Sequence, residues 1–581
     1  MQPTVRRIGF LVILAVPIGL AAGGAAWILL RLIGLITNLA LFHRVGWSIP
    51  SLVDLQPSPW LVVAALLGGL TVSLMARWDP SVRGHGIPEA MTAVLTRQSR
   101  MRPRTAVAKP LSVAVAIGTG APFGAEGPII VTGGALGSLL GQILRVTPSE
   151  RKILLGCGAA AGTAAVFGTP LAAVVLAIEL LLFEFSVRAL LPIIASASIA
   201  GGVHVALFGA QPLFHVPQHE FSGLGHLWVF ALVGVACGLL SAVVCRGLFL
   251  VEALYRRLPV RQFWHPMIGA LGFALIGLFV PRVLGTGYVT IEEVLSDRLT
   301  IETVLVVFVA KLVAWWVALG SSTSGSILAP MLLISGSFGA ALGWLLDAVA
   351  PSVGIPPGAM ALVAMSATVG ASTGASLTFI VFAFELTRDY NAILPLMLAS
   401  VLANLVTLLL LKHNLLTEKL GRGGIGVPKR YEPDVLRGTL VKQAMSTPAA
   451  TIGAGATVGD ARLRIESGEH SAYPLVDDDE RCVGIVSRGD LLGTSVDDDE
   501  PVTAAASTDV VTVRPDDSML TALARMTEEK VDHLPVVSGD RLVGVCARND
   551  VLRARGQHLG QERFEEGWKP PWLSAIRRFG P

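Results

Sequence analysis

Glu126 is the residue of this sequence best placed to do chemistry, because it sets a carboxyl group between two long apolar segments. It lies in residues 124–128, GAEGP, where glycines and a proline interrupt the helical pattern. Proline is favoured in the first turn of a helix, so we expect a helix to begin near Glu126, at membrane depth. The free N–H groups and positive dipole of a helix start attract anions. The stretch therefore predicts a buried anion site that already contains a carboxylate.

A second copy of this stretch follows in the other half of the chain. Residues 326–330, SILAP, align with residues 124–128 and place Pro330 at 202 positions after Pro128 (330 − 128). The alignment continues through three glycines of each copy: Gly134, Gly137 and Gly141 beside Gly336, Gly339 and Gly343. Another similar pair of stretches occupies residues 168–180 and 374–386. Repeats interrupted by Gly and Pro indicate a transporter-type site between two halves, although glycines also serve close helix packing.

The composition is that of a polytopic membrane protein with room for a soluble domain. Of the 581 residues, 52% are hydrophobic and 15% charged, and the mean hydropathy is +0.65. The net charge of +3 gives no reason to expect a nucleic-acid partner. The five scattered cysteines have neither metal-ligand spacing nor a disulfide pattern, so we expect no metal site.

Basic residues indicate the orientation in the membrane. The first apolar run, residues 8–30, follows Arg6 and Arg7 and lacks a cleavage site, which predicts a retained helix rather than a signal peptide. By the positive-inside rule, five basic residues favour a cytoplasmic segment: Arg97, Arg100, Arg102, Arg104 and Lys109. We therefore expect an integral protein of a bacterial inner (plasma) membrane, with the N-terminus and the C-terminal region in the cytoplasm.

Apolar stretches up to about residue 411 predict membrane helices, many of them too short for a simple crossing. They lie near residues 60–76, 107–119, 128–144, 152–167, 170–183, 189–208, 226–250, 266–284, 303–319, 329–349, 358–370, 375–386 and 392–411. A further helix start is predicted at residues 84–89, GHGIPE.

The composition becomes soluble after a predicted linker at residues 423–437. Residues 438–560 contain a repeat of their own: residues 472–476 and 483–490, which recur as 533–537 and 543–550. Each copy predicts a helix, a β-hairpin and a second helix that opens at an aspartate. The tail, residues 561–581, mixes aromatic and basic side chains and either lies on a membrane surface or packs on protein.

Four motifs of the membrane region match one family in order and spacing: GHGIPEA at 84–90, GAEGP at 124–128, FGTPLAAVVLAIE at 167–179 and GSILAP at 325–330. They resemble the motifs of the CLC chloride channels and proton/chloride antiporters. The resemblance implies an α-helical polytopic membrane fold with the CLC-type inverted repeat over residues 1–422. It also implies a homodimer in the lipid bilayer, with one pathway per subunit for chloride or another small anion. The soluble repeat resembles a pair of CBS domains, which are α/β in structure.

By motif position, Glu126 resembles the family's gating glutamate, whose protonation would release it and open the pathway. The same resemblance assigns anion binding to seven residues: His85, Gly86, Ala125, Gly127, Ile327, Leu328 and Leu416. The central anion would rest on the backbone amides of Ile327 and Leu328.

Two positions of this anion site depart from the family pattern. His85 replaces the serine expected between two glycines, and it either donates a hydrogen bond to an anion or only caps a helix. Leu416 replaces the expected tyrosine, so a hydroxyl donor is missing and the site should be weakened or re-tuned. Chloride is the anion that the family implies, with nitrate, bromide and fluoride left open.

Leu180 stands where coupled antiporters of the family carry a proton-relay glutamate. Leucine cannot carry a proton, and the neighbouring Glu179 would point about 100° away on a helix, so we interpret Glu179 as a capping or pairing residue. We therefore predict channel-like or loosely coupled anion flow, gated by protonation of Glu126. The alternative is a coupled exchanger of protons for chloride, another halide or nitrate.

In the CBS pair, Ser487 and Asp490 match the pattern that holds nucleotide phosphate and ribose. The second copy keeps Asp550 but has Ala547 in place of the hydroxyl residue. An adenine-nucleotide sensor for ATP or AMP and a dimerisation module both fit this pattern, and no other cofactor is expected.

Two other classes of function fit the sequence less well. A CBS-regulated divalent-cation transporter needs several carboxylates around an ion, whereas the sequence places only Glu126, Glu179 and Glu385 deeply. A membrane enzyme would need a metal-ligand set, a catalytic triad or a phosphate-binding loop, and the sequence shows none of these motifs.

Overall fold

The structure, a computed structural model, describes residues 3–144, 146–219, 221, 226–427, 435–468, 470–493 and 495–555. The chain divides into two compact units, Met1–Tyr431 and Glu432–Pro581. The first unit is built of helices and the second of helices and short strands, so the predicted fold class is confirmed.

Helices follow one another through the membrane unit: α1 (Pro3–Phe42), α2 (Pro59–Trp78), α3 (Ile87–Thr96), α4 (Thr105–Gly118), α5 (Glu126–Ile143), α6 (Pro148–Phe167), α7 (Pro170–Ala177), α8 (Val187–Phe208), α9 (Leu227–Arg257), α10 (His265–Phe279), α11 (Tyr288–Leu295), α12 (Ile301–Gly320), α13 (Leu328–Val349), α14 (Pro357–Thr373), α15 (Ser376–Thr387), α16 (Ile393–Leu410) and α17 (Glu418–Arg422). A π-helical turn, Ile178–Leu182, continues α7. Within the described residues, eight helices are long and apolar enough to cross a membrane, which confirms a polytopic membrane protein.

Helices α5 and α6 cross at backbone distance because glycines face each other. A Cβ atom added to Gly133 would overlap the carbonyl oxygen of Gly158, and one added to Gly158 would overlap that of Gly133. One turn along, Gly137 meets the carbonyl oxygen of Leu154 in the same way. Close packing of small residues is what holds helices together where lipid offers no hydrophobic drive. The glycine pattern of α5 therefore fixes the helix whose first residue is Glu126.

Two buried lysines hold equivalent turns in the two halves. Lys109 on α4 donates its Nζ to three carbonyl oxygens of the turn before α3, at 2.7–3.2 Å: those of Ser81, Val82 and Gly84. Lys311 on α12, 202 residues later (311 − 109), donates to Val283 and Gly285 at 2.8 and 3.0 Å in the turn before α11. Both lysines have no exposed surface. Each ammonium satisfies carbonyl groups that would otherwise be buried without partners.

Two carboxylates tie the halves together by capping each other's helices. Glu385 on α15 accepts hydrogen bonds from the amides of Leu171 and Ala172, at 3.1 and 2.7 Å, at the start of α7. Glu179, in the turn that continues α7, accepts from the amide and hydroxyl of Thr378, at 2.9 and 2.6 Å, at the start of α15. A carboxylate at a helix start satisfies free amides and faces the positive dipole end. Glu179 is thus a capping residue.

The second unit contains two similar modules. Its helices are α18 (Val435–Gly438), α19 (Val441–Ala444), α20 (Val458–Ser467), α21 (Arg488–Gly493) and α22 (Met519–Glu528), and its strands are β1 (Ile452–Gly453), β2 (Ala472–Val476), β3 (Cys482–Ser487), β4 (His533–Ser538) and β5 (Arg541–Ala547). In the first module β2 pairs parallel with β1 and antiparallel with β3, and in the second β4 pairs antiparallel with β5. Each module has a hydrophobic core of its own. Both hairpins predicted from the repeat are present.

The Gly133→Ala variant should lower the thermal stability of the purified protein in detergent, because the added methyl group forces α5 away from the α6 backbone. Overpacking of this kind costs about 1–3 kcal/mol. Gly24→Ala is the matched control, since a Cβ atom at Gly24 in α1 has no heavy atom within 4 Å and alanine is the better helix former. Equal melting temperatures for the two variants would show that α5 and α6 can move apart to accept the methyl group without loss of stability.

Candidate functional site

Three helix starts meet inside the membrane unit: those of α3, α5 and α13. Their N-cap residues are Gly86, Ala125 and Ile327, and none of these three residues accepts a hydrogen bond from the helix amides through a side chain of its own. A Cβ atom at Gly86 would lie 2.9 Å from the carbonyl oxygen of Gly127, so α3 and α5 touch here. Gly86 has φ of 95°, which a side chain would strain. The structure therefore brings together the three amide-rich turns that the motifs predicted.

Ser326 bridges two of these helix starts. Its Oγ accepts hydrogen bonds from the amide of Gly127 on α5, at 3.1 Å, and from the amide of Leu328 on α13, at 3.2 Å. The side chain has no exposed surface. Two of the amides predicted to bind an anion are therefore directed at a serine oxygen, and the same side chain also interacts with the Glu126 carboxyl group. Ser326 could not be predicted from its motif, although it aligns with Gly124 at the same offset of 202 (326 − 124).

Glu126 is the first residue of α5 and is fully buried. Its Oε1 accepts a hydrogen bond from the hydroxyl of Tyr288, at 2.6 Å. Its Oε2 has no hydrogen-bond partner among the described residues. The carboxyl group lies over Gly124, where any Cβ atom would overlap it, and both Ser326 and the Ala329 amide interact with it. The carboxylate thus occupies the junction of α5 and α13.

Tyr288, the hydrogen-bond partner of Glu126, lies outside the family motifs in the sequence. It opens α11, directly after residues 285–287, GTG, which repeat residues 84–86, GHG, at an offset of 201 (285 − 84). Tyr288 also lines a cavity of about 140 Å³ together with Thr37, Ser51, Arg282 and Thr286. The internal repeat could have pointed to Tyr288, because it makes α11 the equivalent of α3, whose start was already predicted to lie at the anion site.

His85 lies next to the first turn of α5. A Cβ atom at Gly127 would overlap the carbonyl oxygen of His85, and the His85 side chain is 3% exposed. Its Nδ1 is buried without a hydrogen-bond partner in the described part of the chain. The charges that act on the imidazole are those of Lys109 and Lys419. A buried ring nitrogen without a partner is available to a ligand, so anion binding by His85 stays a prediction.

The two leucines that replace polar family residues bring no polar side chain to the site. Leu416 is fully buried just before α17, and its amide donates to Asn414 Oδ1 at 3.1 Å. Leu180 is 4% exposed and lies in the π-helical turn after α7, which packs against α3. The first turn of α3 contains Glu89, whose Oε2 is buried without a partner among the described residues.

The residues predicted to bind nucleotide lie where each hairpin passes into a helix. Asp490 Oδ2 accepts from the amide and hydroxyl of Ser487, at 2.8 and 2.7 Å, and is partly accessible. Asp550 Oδ2 accepts from the amide of Ala547 at 2.8 Å, its Oδ1 pairs with Arg553, and it is 2% exposed. The two aspartates therefore hold equivalent turns, but only the first is open to a ligand.

A polar contact joins the two CBS modules near this region. His533 Nε2 lies 3.1 Å from the hydroxyl of Ser471 in the first module. Burial lowers the pKa of His533, so the imidazole is neutral near pH 7. A neutral imidazole can accept the serine proton at this nitrogen, which links the start of β4 to the residue before β2.

Comparison with known proteins agrees with this geometry. The family model described as voltage gated chloride channel matches residues 63–408, and the CBS domain model matches residues 441–497 and 502–556. The H(+)/Cl(-) exchange transporter ClcA of Vibrio campbellii is 32% identical over 377 residues, which is 63% of this chain and 80% of that protein. ClcA of Vibrio cholerae strain N16961 is 30% identical over 373 residues, 62% of this chain and 78% of that protein.

Solved structures are similar as well. A slow cyanobacterial Cl-/H+ antiporter superposes with a TM-score of 0.61 and 25% identity, over 73% of this chain and 98% of that one. A eukaryotic CLC transporter, at 20% identity and a TM-score of 0.57, covers 94% of this chain and 98% of its own, and shows the same fold. The chain therefore belongs to the CLC family of chloride transport proteins and carries a C-terminal pair of CBS domains.

Proposed function

We propose that the protein exchanges chloride for protons across the membrane, with Glu126 as both gate and proton carrier. The observation that carries the proposal is the fully buried Glu126 carboxylate at the junction of two helix starts. Relatives named as H(+)/Cl(-) exchange transporters support exchange over the channel-like flow that Leu180 had favoured. The activity is transport and not catalysis of a chemical reaction.

Chloride and the Glu126 carboxylate would compete for one electropositive position. Helix starts favour a negative charge, so an ionised Glu126 remains there and excludes the anion. Protonation removes that charge, and the neutral carboxyl group gives way to chloride. The anion would then lie against the predicted site: His85, Gly86, Ala125, Gly127, Ile327, Leu328 and Leu416.

The position of the Ser326 side chain determines whether the amides of Gly127 and Leu328 can bind an anion. While its Oγ accepts from Gly127 and Leu328, an anion can use the Ser326 hydroxyl proton and the amides that the serine leaves free. If the Ser326 side chain rotates, the two amides turn to the anion instead. Either arrangement supplies a hydroxyl donor to a pathway in which Leu416 supplies none.

Coupling requires a second proton carrier, because Leu180 cannot take a proton. The carboxyl group of Glu89 is suited to this step, since α3 packs against the turn that contains Leu180 and Glu89 Oε2 is buried without a described partner. We infer that Glu89 passes protons toward Glu126.

We also infer the assembly and orientation from the resemblance and the charge pattern. Each subunit of a homodimer would contain its own pathway in a bacterial plasma membrane. The basic residues between 97 and 109 support a cytoplasmic N-terminus and a cytoplasmic CBS pair.

In proteoliposomes clamped with potassium and valinomycin, an outward chloride gradient should drive proton uptake at a fixed ratio. Glu126→Gln should keep or increase chloride flux, lose its pH dependence and abolish proton uptake, because the amide neither ionises nor competes as an anion. Glu89→Gln should retain chloride flux and reduce proton uptake at least severalfold. Fluorescent pH and chloride-electrode recordings on the same vesicles measure both quantities.

Glu385→Gln is the matched control, since that carboxylate caps α7 and lies outside the proposed proton route. Chloride flux without proton uptake in the unmodified protein would establish the channel-like alternative, and Leu180→Glu should then introduce some uptake. Absent or cation-dependent flux would reject anion transport by this chain under these conditions.

For the CBS pair we propose an adenine-nucleotide site at Ser487 and Asp490, with a weaker one at Asp550. Two observations support a stronger first site: Asp490 is more accessible than Asp550, and Ala547 lacks the hydroxyl group of Ser487. A dimerisation module remains the alternative, because each aspartate already holds its own turn.

Calorimetry on the full-length protein should therefore detect ATP or AMP, and Asp490→Ala should weaken binding about tenfold, as expected for a lost hydrogen bond to a charged group. Asp550→Ala should have a smaller effect. Asp516→Ala, which removes a surface partner of Lys442, controls for charge alone. No heat of binding at millimolar nucleotide would leave dimerisation as the role of the pair.

A further inference from the structure

Tyr288 donates a hydrogen bond to a carboxylate oxygen of Glu126, and no family motif assigned it a role. Its hydroxyl lies 2.6 Å from Glu126 Oε1, and the two residues are 162 positions apart in the chain. A hydrogen bond to an ionised acceptor is short and about twice as strong as one between neutral groups. The contact is therefore strong only while Glu126 is ionised.

Two contacts hold the Tyr288 side chain in place. Lys311 fixes the turn that leads into α11 through the carbonyl groups of Val283 and Gly285. The ring of Phe214 meets the Tyr288 ring edge to face, with centroids 6.3 Å apart. Tyr288 can thus hold the carboxylate without first losing much conformational freedom.

The other end of α11 is fixed as well. His219 Nε2 lies 2.9 Å from the carbonyl oxygen of Leu295, the last residue of the helix, and its Nδ1 lies 3.2 Å from Asp389 Oδ2. Both ring nitrogens face oxygen acceptors in a buried setting. Because α11 is held at both ends, its first residue has a defined position.

The repeat shows that the hydroxyl is particular to one half. The equivalent of Tyr288 in the first half is Ile87, 201 positions earlier (288 − 87), at the start of α3. The lysine clamps and the Gly-x-Gly turns are shared by both halves, but only the second half places a hydroxyl after its turn. That hydroxyl contacts the Glu126 carboxylate at the junction of α5 and α13.

We propose that Tyr288 is a latch on Glu126: a positioning residue that holds the ionised carboxylate in the pathway and so sets the pH at which chloride can enter. The inference rests on the proposed gating role of Glu126. When Glu126 takes up a proton, the hydrogen bond weakens and the carboxyl group is free to leave. Tyr288 also lines the 140 Å³ cavity, so the released side chain has space on that side.

Other groups near the junction stay unchanged when the hydroxyl alone is removed. Lys311 on α12 acts electrostatically on Glu126, α13 contributes the neutral Ser326, and the loop before α3 contributes His85. The charged neighbours of that histidine are two lysines: Lys109 and Lys419. A change caused by losing the hydroxyl can therefore be assigned to Tyr288.

The direction of the effect follows from the charge of the acceptor. The hydrogen bond favours ionised over protonated Glu126, so its loss makes protonation easier. Tyr288→Phe should shift the pH at half-maximal chloride flux upward by about one unit, and should tighten chloride binding at a fixed pH above that midpoint about tenfold. Calorimetry measures the second quantity independently of the transport mode.

Tyr255→Phe is the matched control, because the Tyr255 hydroxyl donates to the backbone of Val317 at 3.2 Å, away from Glu126. It should leave both the pH profile and chloride binding as in the unmodified protein. Phe214→Leu, which keeps the Tyr288 hydroxyl and removes its supporting ring, should shift both quantities in the same direction by a smaller amount. This second variant tests the latch even if Tyr288→Phe expresses poorly.

Repeating the comparison in a Glu126→Ala background separates the latch from the gate. With no carboxylate to hold, Tyr288→Phe should change neither binding nor flux. An equal effect in that background, or an unchanged pH profile in Tyr288→Phe alone, would overturn the latch. If Glu126→Ala itself leaves the pH dependence of the wild type intact, the gating proposal is what has failed.

Discussion

The membrane unit is arranged around a single constraint: a carboxylate with no exposed surface must be kept where its charge is tolerated. Glu126 meets this constraint at the first turn of α5, where backbone amides converge with those of α13. Gly124 gives the carboxyl group room that no other residue would leave. The glycine crossing of α5 and α6 then holds that first turn at a fixed depth, so packing far along the helix determines the electrostatics at its start.

The two halves share a frame but differ in chemistry. Lys109 and Lys311 hold equivalent turns through backbone carbonyl groups. Because these contacts use no other side chain, the same lysine clamp can occur in both halves even where the neighbouring side chains differ. Beyond the turns the halves diverge, since the first has Glu126 and His85 and the second has Ser326 and Tyr288. A symmetric scaffold thus supports an asymmetric site, in which one half supplies the charge and the other supplies hydroxyl groups.

Much of this arrangement could be predicted from the sequence. The Gly and Pro residues around Glu126 predicted a helix start there, because that signal is local. The offset of 202 residues predicted the equivalent turn at residues 326–330, because that signal is periodic. Ser326 and Tyr288 could not be recognised in the same way. Their importance comes from side chains that meet across 199 and 162 residues of chain, and such contacts depend on how helices pack. The capping role of Glu179 could be inferred because the resemblance puts the relay position at Leu180, and adjacent residues on a helix point about 100° apart.

The exchanged caps of α7 and α15 have a consequence for how this protein can change over evolutionary time. Each helix depends on a carboxylate that the other half encodes, Glu385 for α7 and Glu179 for α15. Loss of either acid exposes amides in the opposite half, so the defect appears some two hundred residues from the substitution. The halves of this duplicated chain have therefore lost the freedom to diverge separately, and each now constrains the sequence of the other.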